Sequence, residues 1–279
     1  MTTNIDLAQV HATLVSNIET LIASNDWEKH LQTQAAFHNY SFGNVLWLTV
    51  QAADRGIQPC RFAGFNTWKK MGRQVMKGEK GFKVLAPVMV RRSAEKEGEE
   101  KPGFVLRGFK VVTTFEKGQT EGKDLPEICQ KLQGTSDEIW STFFKLQGFV
   151  ENRGWSLDEN ALNGPNGVCH LDAKLIELEC SLSPLQKLKT LCHEVAHSMM
   201  HADDFGSHGK EEREVEAESV AYVVLSALGF DSSGYSFGYV ASWSKGDVEL
   251  VKKTGERVQR TAKAILTALG KKGEADAAE

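Results

Sequence analysis

The chain has 279 residues, 41% of them hydrophobic and 25% charged, with a formal net charge of −4. That is enough for one large or two ordinary domains, and the composition is that of a globular protein with a core rather than a disordered one. Five scattered cysteines without a CxxC pair argue against a disulfide framework and against a cysteine zinc site.

The opening residues lack a basic stretch followed by an apolar one, so no secretory leader is expected. The apolar runs at 45–50 and 220–228 are too short or too interrupted to span a bilayer, so no membrane partner is expected and the reading is cytoplasmic. The charge is uneven. Residues 1–118 hold 16 Lys and Arg against 11 Asp and Glu, whereas the remainder holds 17 against 26. Nine basic residues and a single acid, Glu79, lie between Arg61 and Arg92. A basic block on an acidic chain points to an anionic partner for that region only.

In chain order, residues 6–24 read as an amphipathic helix, because Val10, Leu14, Val15, Ile18, Leu21 and Ile22 recur near helical spacing. A second helix is expected over Asn44–Asp54, ending at Gly56 and Pro59. A glycine-punctuated basic segment follows, from Gly64 to Gly81. Two β-rich runs, Phe82–Arg91 and Phe104–Phe115, should pair through a charged loop at 93–103. The polar, breaker-rich stretch Glu116–Pro126 is read as the domain boundary, separating domains at 1–120 and 125–279. Beyond it, a helix is expected at 136–151, a short hairpin at Val168–Leu171 and Leu175–Cys180, then at least three helices and a frayed tail from Gly270. The fold class is α+β: an N-terminal α+β domain with a β-hairpin, and a mainly helical C-terminal domain with a small sheet.

The sharpest chemistry lies in His193-Glu194-Val195-Ala196-His197. Ser183, Pro184 and Gln186 suit the start of a helix, with Ser183 and Gln186 forming a capping box. Leu188, Leu191, Cys192, Val195 and Met199 form its apolar face. His193 and His197 are one turn apart on the other face, so both imidazoles can reach one ion. Glu194 flanks that ion, where it can take a proton from a water molecule whose acidity a Lewis acid has raised. The third ligand is expected from Glu212–Ala221, where Glu214, Ala217, Glu218 and Ala221 share a face and Glu216 points about 200° away from Glu214. Glu214 is assigned as ligand and Glu218 as acceptor for a histidine N–H, the reverse assignment being the alternative. The expected cofactor is one Zn2+ ion, other divalent metals being possible. His201 and His208 are read as surface histidines, and Cys192 as a packing residue.

In the basic segment, Phe62, Phe65, Trp68 and Phe82 alternate with Arg61, Lys69, Lys70, Arg73, Lys77, Lys80 and Lys83. Aromatic platforms beside phosphate-neutralising cations are what single-stranded nucleic acid requires, although core aromatics give the same pattern.

Two stretches complete a resemblance. Asn39-Tyr40-Ser41-Phe42-Gly43-Asn44, Gly64-Phe65-Asn66-Thr67-Trp68-Lys69, Gly72–Gly81 and Gln119-Thr120-Glu121-Gly122 resemble the ArdC-type antirestriction family. Thr190–His197 with Glu214–Ala221 is similar to the ImmA/IrrE-like metallopeptidases. The resemblance implies a zincin-like metallopeptidase domain joined to a single-stranded-DNA-binding domain, in a bacterial protein that protects incoming DNA from restriction. It carries the glutamate ligand onto Glu214. With the residue reading, it nominates Asn39, Tyr40, Ser41, Asn44, Phe65, Trp68, Lys69, Lys70, Arg73, Lys77 and Lys80 for DNA contact. Two other readings fit the same residues: a DNA-shielding protein with a structural metal, and a regulatory protease that cleaves a repressor. The protein substrate is not specified by any of them.

Overall fold

The structure, a computed structural model, describes residues 7–91, 104–124, 136–202, 209–230 and 240–271. The expected 93–103 loop, His208 and most of the tail lie outside these residues.

The N-terminal half begins with three helices, α1 (Leu7–Ser24), α2 (Trp27–Ala36) and α3 (Phe42–Asp54). Ser41 caps α3 by accepting from Asn44 N. Strand β1 (Phe62–Ala63), helix α4 (Phe65–Lys70) and strand β2 (Arg73–Val75) follow. The long antiparallel ribbon of β3 (Phe82–Arg91) and β4 (Phe104–Glu116) is the hairpin the sequence predicts. In sheet order β1-β4-β3, β3 is an edge strand, and α3 covers part of that edge with side chains. Asn44 donates to Leu85 O and accepts from Leu85 N, both at 2.8 Å, and Gln51 does the same for Lys83 at 2.9 and 2.8 Å. Two amides thereby replace a missing ladder partner and hold the helix to the sheet. Phe37, Val45, Leu48, Phe62, Phe82 and Val84 form a small core between them.

The stretch read as a boundary is folded up to Gly122. Glu116 and Gln119 form a reciprocal capping box around a single 3-10 turn, and β5 (Thr120–Gly122) then pairs with β2. Its polar residues make local hydrogen bonds rather than a linker.

The C-terminal half holds α5 (Ser136–Glu151), strands β6 (Ser156–Asn160), β7 (Gly167–His170) and β8 (Leu175–Glu179), then α6 (Pro184–Met200), α7 (Lys210–Leu228), α8 (Val240–Ser244) and α9 (Val248–Ala268). The sheet order is β6-β8-β7, with β7 antiparallel to β8 as expected and β6 parallel to it. The sequence reading missed β6, whose Asp158, Glu159 and Asn160 are exposed and give no alternating pattern.

One large core runs through both halves. Ile18, Leu21, Trp27, Leu31 and Phe42 from the first three helices pack with Leu146, Ile176, Leu188, Leu191, Val220, Val224, Val258 and Ile265. Trp27 Nε1 donates to Ser219 Oγ at 2.9 Å, deep in that core. Gly255 on α9 faces the Phe42 ring so closely that a Cβ there would fall 2.2 Å from it. The core therefore draws residues from both sides of the 116–126 stretch read as a boundary.

Candidate metal centre

Helix α6 starts at Pro184, which suits a first turn because its missing N–H is not needed there. Ser183 has the extended backbone of an N-cap, but its side chain makes no capping hydrogen bond. The expected capping box is therefore not formed. Leu188, Leu191, Cys192 and Val195 are fully buried, and Met199 partly so, which anchors the apolar face. Burial pushes the Cys192 thiol up to about 12, in keeping with a packing role.

That anchoring turns His193 and His197 towards a pocket lined also by Gly167, Cys169 and Leu171 near β7, and by Lys210, Arg213 and Glu214 of α7. The two Nε2 atoms are 3.0 Å apart. Glu214 Oε2 lies 3.5 Å from His193 Nε2 and 3.8 Å from His197 Nε2. A tetrahedral ion with bonds of about 2.0–2.1 Å separates its ligands by roughly 3.3–3.4 Å. The three edges bracket that spacing, and the donors are two neutral-capable imidazoles and a carboxylate. This donor set fits a divalent metal ion. The two imidazoles hold the Glu214 carboxyl far below the usual carboxylate range.

Glu194 is 6% exposed. Burial raises its carboxyl pKa, against the opposing pull of His193 and His197. Gly167 makes room for it: a Cβ there would stand 2.5 Å from Thr190 Cγ2 and 2.9 Å from Glu194 Oε1. The absence of a side chain thus lets edge strand β7 close over the carboxylate. His193 is pulled two ways, burial favouring the neutral ring while Glu214 and the carboxylates of Glu194 and Glu218 favour the charged one; the net shift is upward. Cys169 in the same pocket is held as a thiol, its pKa raised to about 12 by burial and by Glu194.

Two expectations about this region are corrected. Glu218 is partly buried with a raised pKa, but it is not the histidine acceptor. That role falls to the residue the helical wheel turned away. His197 Nδ1 lies 2.9 Å from His201 Nδ1, and His201 Nε2 lies 3.0 Å from Glu216 Oε2. His201 is 1% exposed, not a surface histidine, and Glu216 is fully buried. Positions 193, 197 and 201 form one i, i+4, i+8 stripe, and that spacing was the available signal.

The residues nominated for DNA contact divide sharply. Trp68 is fully buried and donates from Nε1 to Phe115 O. Asn44 is occupied by Leu85, Tyr40 Oη bonds Phe62 O and Thr114 Oγ1, and Ser41 caps α3. The Arg73 guanidinium is taken up by Thr120 and by the carbonyls of Gly122 and Lys123. Asn39 is partly buried, its amide 3.4 Å from His38 Nε2. These six have hydrogen-bond partners within the fold. Phe65, Lys69, Lys70, Lys77 and Lys80 do face solvent, Phe65 at 51%. The ribbon adds residues the sequence reading passed over as strand: Phe104 and Phe109 are 69% and 52% exposed, with Arg107 and Lys110 exposed beside them. Among the described residues no helix is long and apolar enough to cross a membrane.

A histidine pair on one helix, a carboxylate from the next and an adjoining edge strand define a metallopeptidase-like fold. Comparison with known proteins agrees. Residues 7–126 match the N-terminal domain of anti-restriction factor ArdC, and residues 156–226 match the IrrE N-terminal-like peptidase domain. An uncharacterized protein of Bacillus anthracis is 28% identical over 279 residues, covering 85% of this chain and 46% of that relative, so the chain spans about half its length. The Mn(II)-bound crystal structure of antirestriction ArdC from plasmid R388 is 21% identical, covers 95% of this chain and 98% of its own, and superposes with a TM-score of 0.53. Its metal-free form is 25% identical, covering 83% and 85%, with a TM-score of 0.49. Together these matches support an ArdC-type family for the chain, with an ArdC-like N-terminal region followed by an IrrE-like one.

Proposed function

We propose that this protein is a DNA-associated metallopeptidase that binds single-stranded DNA through its N-terminal half and protects incoming DNA from restriction. The convergence of His193, His197 and Glu214 beside the buried Glu194 is the observation that carries the peptidase reading. His193, His197 and Glu214 would hold one divalent ion, with zinc favoured by the two-imidazole, one-carboxylate donor set. When bound, the ion supplies Lewis acidity, polarising a peptide carbonyl and easing deprotonation of water.

The chain's own residues supply the rest. Glu194, whose raised pKa suits both accepting and returning a proton, takes the proton of the attacking water. As the C–N bond breaks, the same carboxyl delivers that proton to the leaving nitrogen. Edge strand β7 offers backbone groups along which an extended peptide can align beside Glu194.

For DNA, the supporting surface is the solvent-facing set Phe65, Lys69, Lys70, Lys77 and Lys80 with Phe104, Arg107, Phe109 and Lys110 on the ribbon. Exposed rings stack bases and the cations neutralise phosphates without reading sequence.

The test pairs elemental analysis with two assays on one preparation. One stoichiometric divalent metal, peptide hydrolysis lost in Glu194→Ala, and a salt-sensitive gel shift with single-stranded DNA are expected. Absence of metal together with unchanged behaviour of Glu194→Ala would overturn the peptidase half, and a salt-independent shift would overturn the DNA half.

A further inference from the structure

The buried chain beyond His197 has a direction, and the direction follows from counting protons. Arg257 of α9 places Nε 3.1 Å from Glu216 Oε1 and donates from Nη2 to Met200 O at 2.9 Å. That ion pair makes the Glu216 carboxylate an acceptor only, although Oε1 itself makes no hydrogen bond. Glu216 Oε2 is then the acceptor for His201 Nε2–H at 3.0 Å. With its proton on Nε2, a neutral His201 presents a lone pair at Nδ1. The facing nitrogen 2.9 Å away, His197 Nδ1, must carry the hydrogen. His197 therefore keeps its own lone pair at Nε2, the atom that faces His193 Nε2 and Glu214.

We infer that His201, Glu216 and Arg257 are positioning residues that lock His197 as the Nδ1–H tautomer and so keep its Nε2 lone pair aimed at the metal position. The inference rests on the metal-site reading above for its purpose, but the tautomer itself does not depend on a metal being bound. The line also ties three helices together at the site: His197 and His201 lie on or at the end of α6, Glu216 on α7 and Arg257 on α9. Ring orientation at His197 is thereby set by groups that never touch substrate.

Glu216→Gln is the discriminating substitution, because it keeps the shape and reverses the polarity. The Arg257 guanidinium favours the amide oxygen on its side and repels the amide N–H2, which then faces His201 Nε2. His201 would then carry its proton on Nδ1, donate to His197 Nδ1, and leave a hydrogen on His197 Nε2 where the ion should sit. Long-range 1H–15N NMR of the metal-free full chain, with the His197 signals assigned by their loss in His197→Asn, reads this directly. The expected result is Nδ1–H in the wild type and Nε2–H in Glu216→Gln. Zn2+ affinity, measured by competition with a chromogenic chelator, should fall about 10- to 100-fold in Glu216→Gln. Glu216→Asp keeps the acceptor at the expense of fit and should bind Zn2+ more tightly than Glu216→Gln; simple packing demands the opposite order.

An Nε2–H tautomer in the wild type overturns the inference whether or not either variant folds. So does Glu216→Gln binding within twofold of wild type. Wild-type protein with the Nδ1–H tautomer but no affinity for Zn2+ or Mn2+ upholds the relay and overturns the metallopeptidase reading instead.

Discussion

The metal face of α6 and the basic segment of the N-terminal half were both nominated by residue type and spacing, and they fared differently. On α6, the three groups with matching chemistry converge to within 4.8 Å of one another. Among the residues nominated for DNA in the N-terminal half, Trp68 is buried, and Asn44, Tyr40, Ser41 and Arg73 are engaged in hydrogen bonds within the fold. The contrast is one of alternatives. A pair of histidines one turn apart, opposite an apolar stripe, has little else to do. An aromatic, an amide or an arginine has a ready structural use, in filling a core, replacing a strand partner or tying down a turn. Motifs carry function in proportion to how poorly their residues would serve as structure.

The first way to break this comparison is Glu194→Gln. On the metal face a single atom change should lower peptide hydrolysis by about 10²- to 10⁴-fold, the usual share of a general acid–base group, with metal content unchanged. Retained turnover at wild-type metal loading would place α6 in the same class as the basic segment. Trp68→Ala is the converse experiment. Its indole fills the domain interior, so the loss should appear as about 3–5 kcal/mol of stability in urea unfolding. The folded fraction should shift single-stranded DNA at wild-type affinity. A fold of normal stability that no longer bound DNA would return Trp68 to the interface.

His30 sharpens the comparison at intermediate size, because it is a histidine used structurally. Burial lowers its pKa to about 4, although its hydrogen bond to Gln34 at 3.0 Å opposes that shift. The unfolded chain, titrating near 6.5, binds the proton more readily than the folded one. The stability His30 lends in its neutral form is therefore complete above pH 6.5 and lost as pH falls towards 4. The full loss is about 3 kcal/mol at 1.36 kcal/mol per unit. His30→Gln should flatten that part of the pH–stability curve; an unchanged slope between pH 6.5 and 4 contradicts the assignment. The smallest effect belongs to the exposed cations. Lys69→Ala with Lys70→Ala should leave the unfolding midpoint in place. The slope of log affinity for single-stranded DNA against log salt should fall by about 0.7 for each phosphate no longer neutralised. An unaltered slope would move the interface to the ribbon.

Much of the architecture was legible in the sequence wherever an apolar period was clean. α1, α3, α5, the β3–β4 ribbon and the β7–β8 hairpin lie within a few residues of their expected limits. α2 was missed because its buried stripe of Trp27, Leu31 and Ala35 is interleaved with His30 and Gln34, both buried. A polar residue inside reads as outside until its partner is known. The same rule hid Glu216 and His201: each looked like a solvated residue because its partner lay on another helix. Conversely, Glu116–Gly122 looked like a linker because a capping box satisfies its polarity locally.

Gly255 and the Phe42 ring bear on inheritance as well as on packing. Because a helix near the end of the chain leaves a notch for a ring near its beginning, the two halves cannot be exchanged freely with those of a relative. A hybrid bringing any larger residue to position 255 would meet the ring head-on, and a C-terminal fragment lacking α1 to α3 would present the seats of Ile18, Trp27, Leu31 and Phe42 as bare oily surface. Ancestry can splice two recognisable pieces of sequence into this chain, but natural variation at this seam should travel in matched pairs.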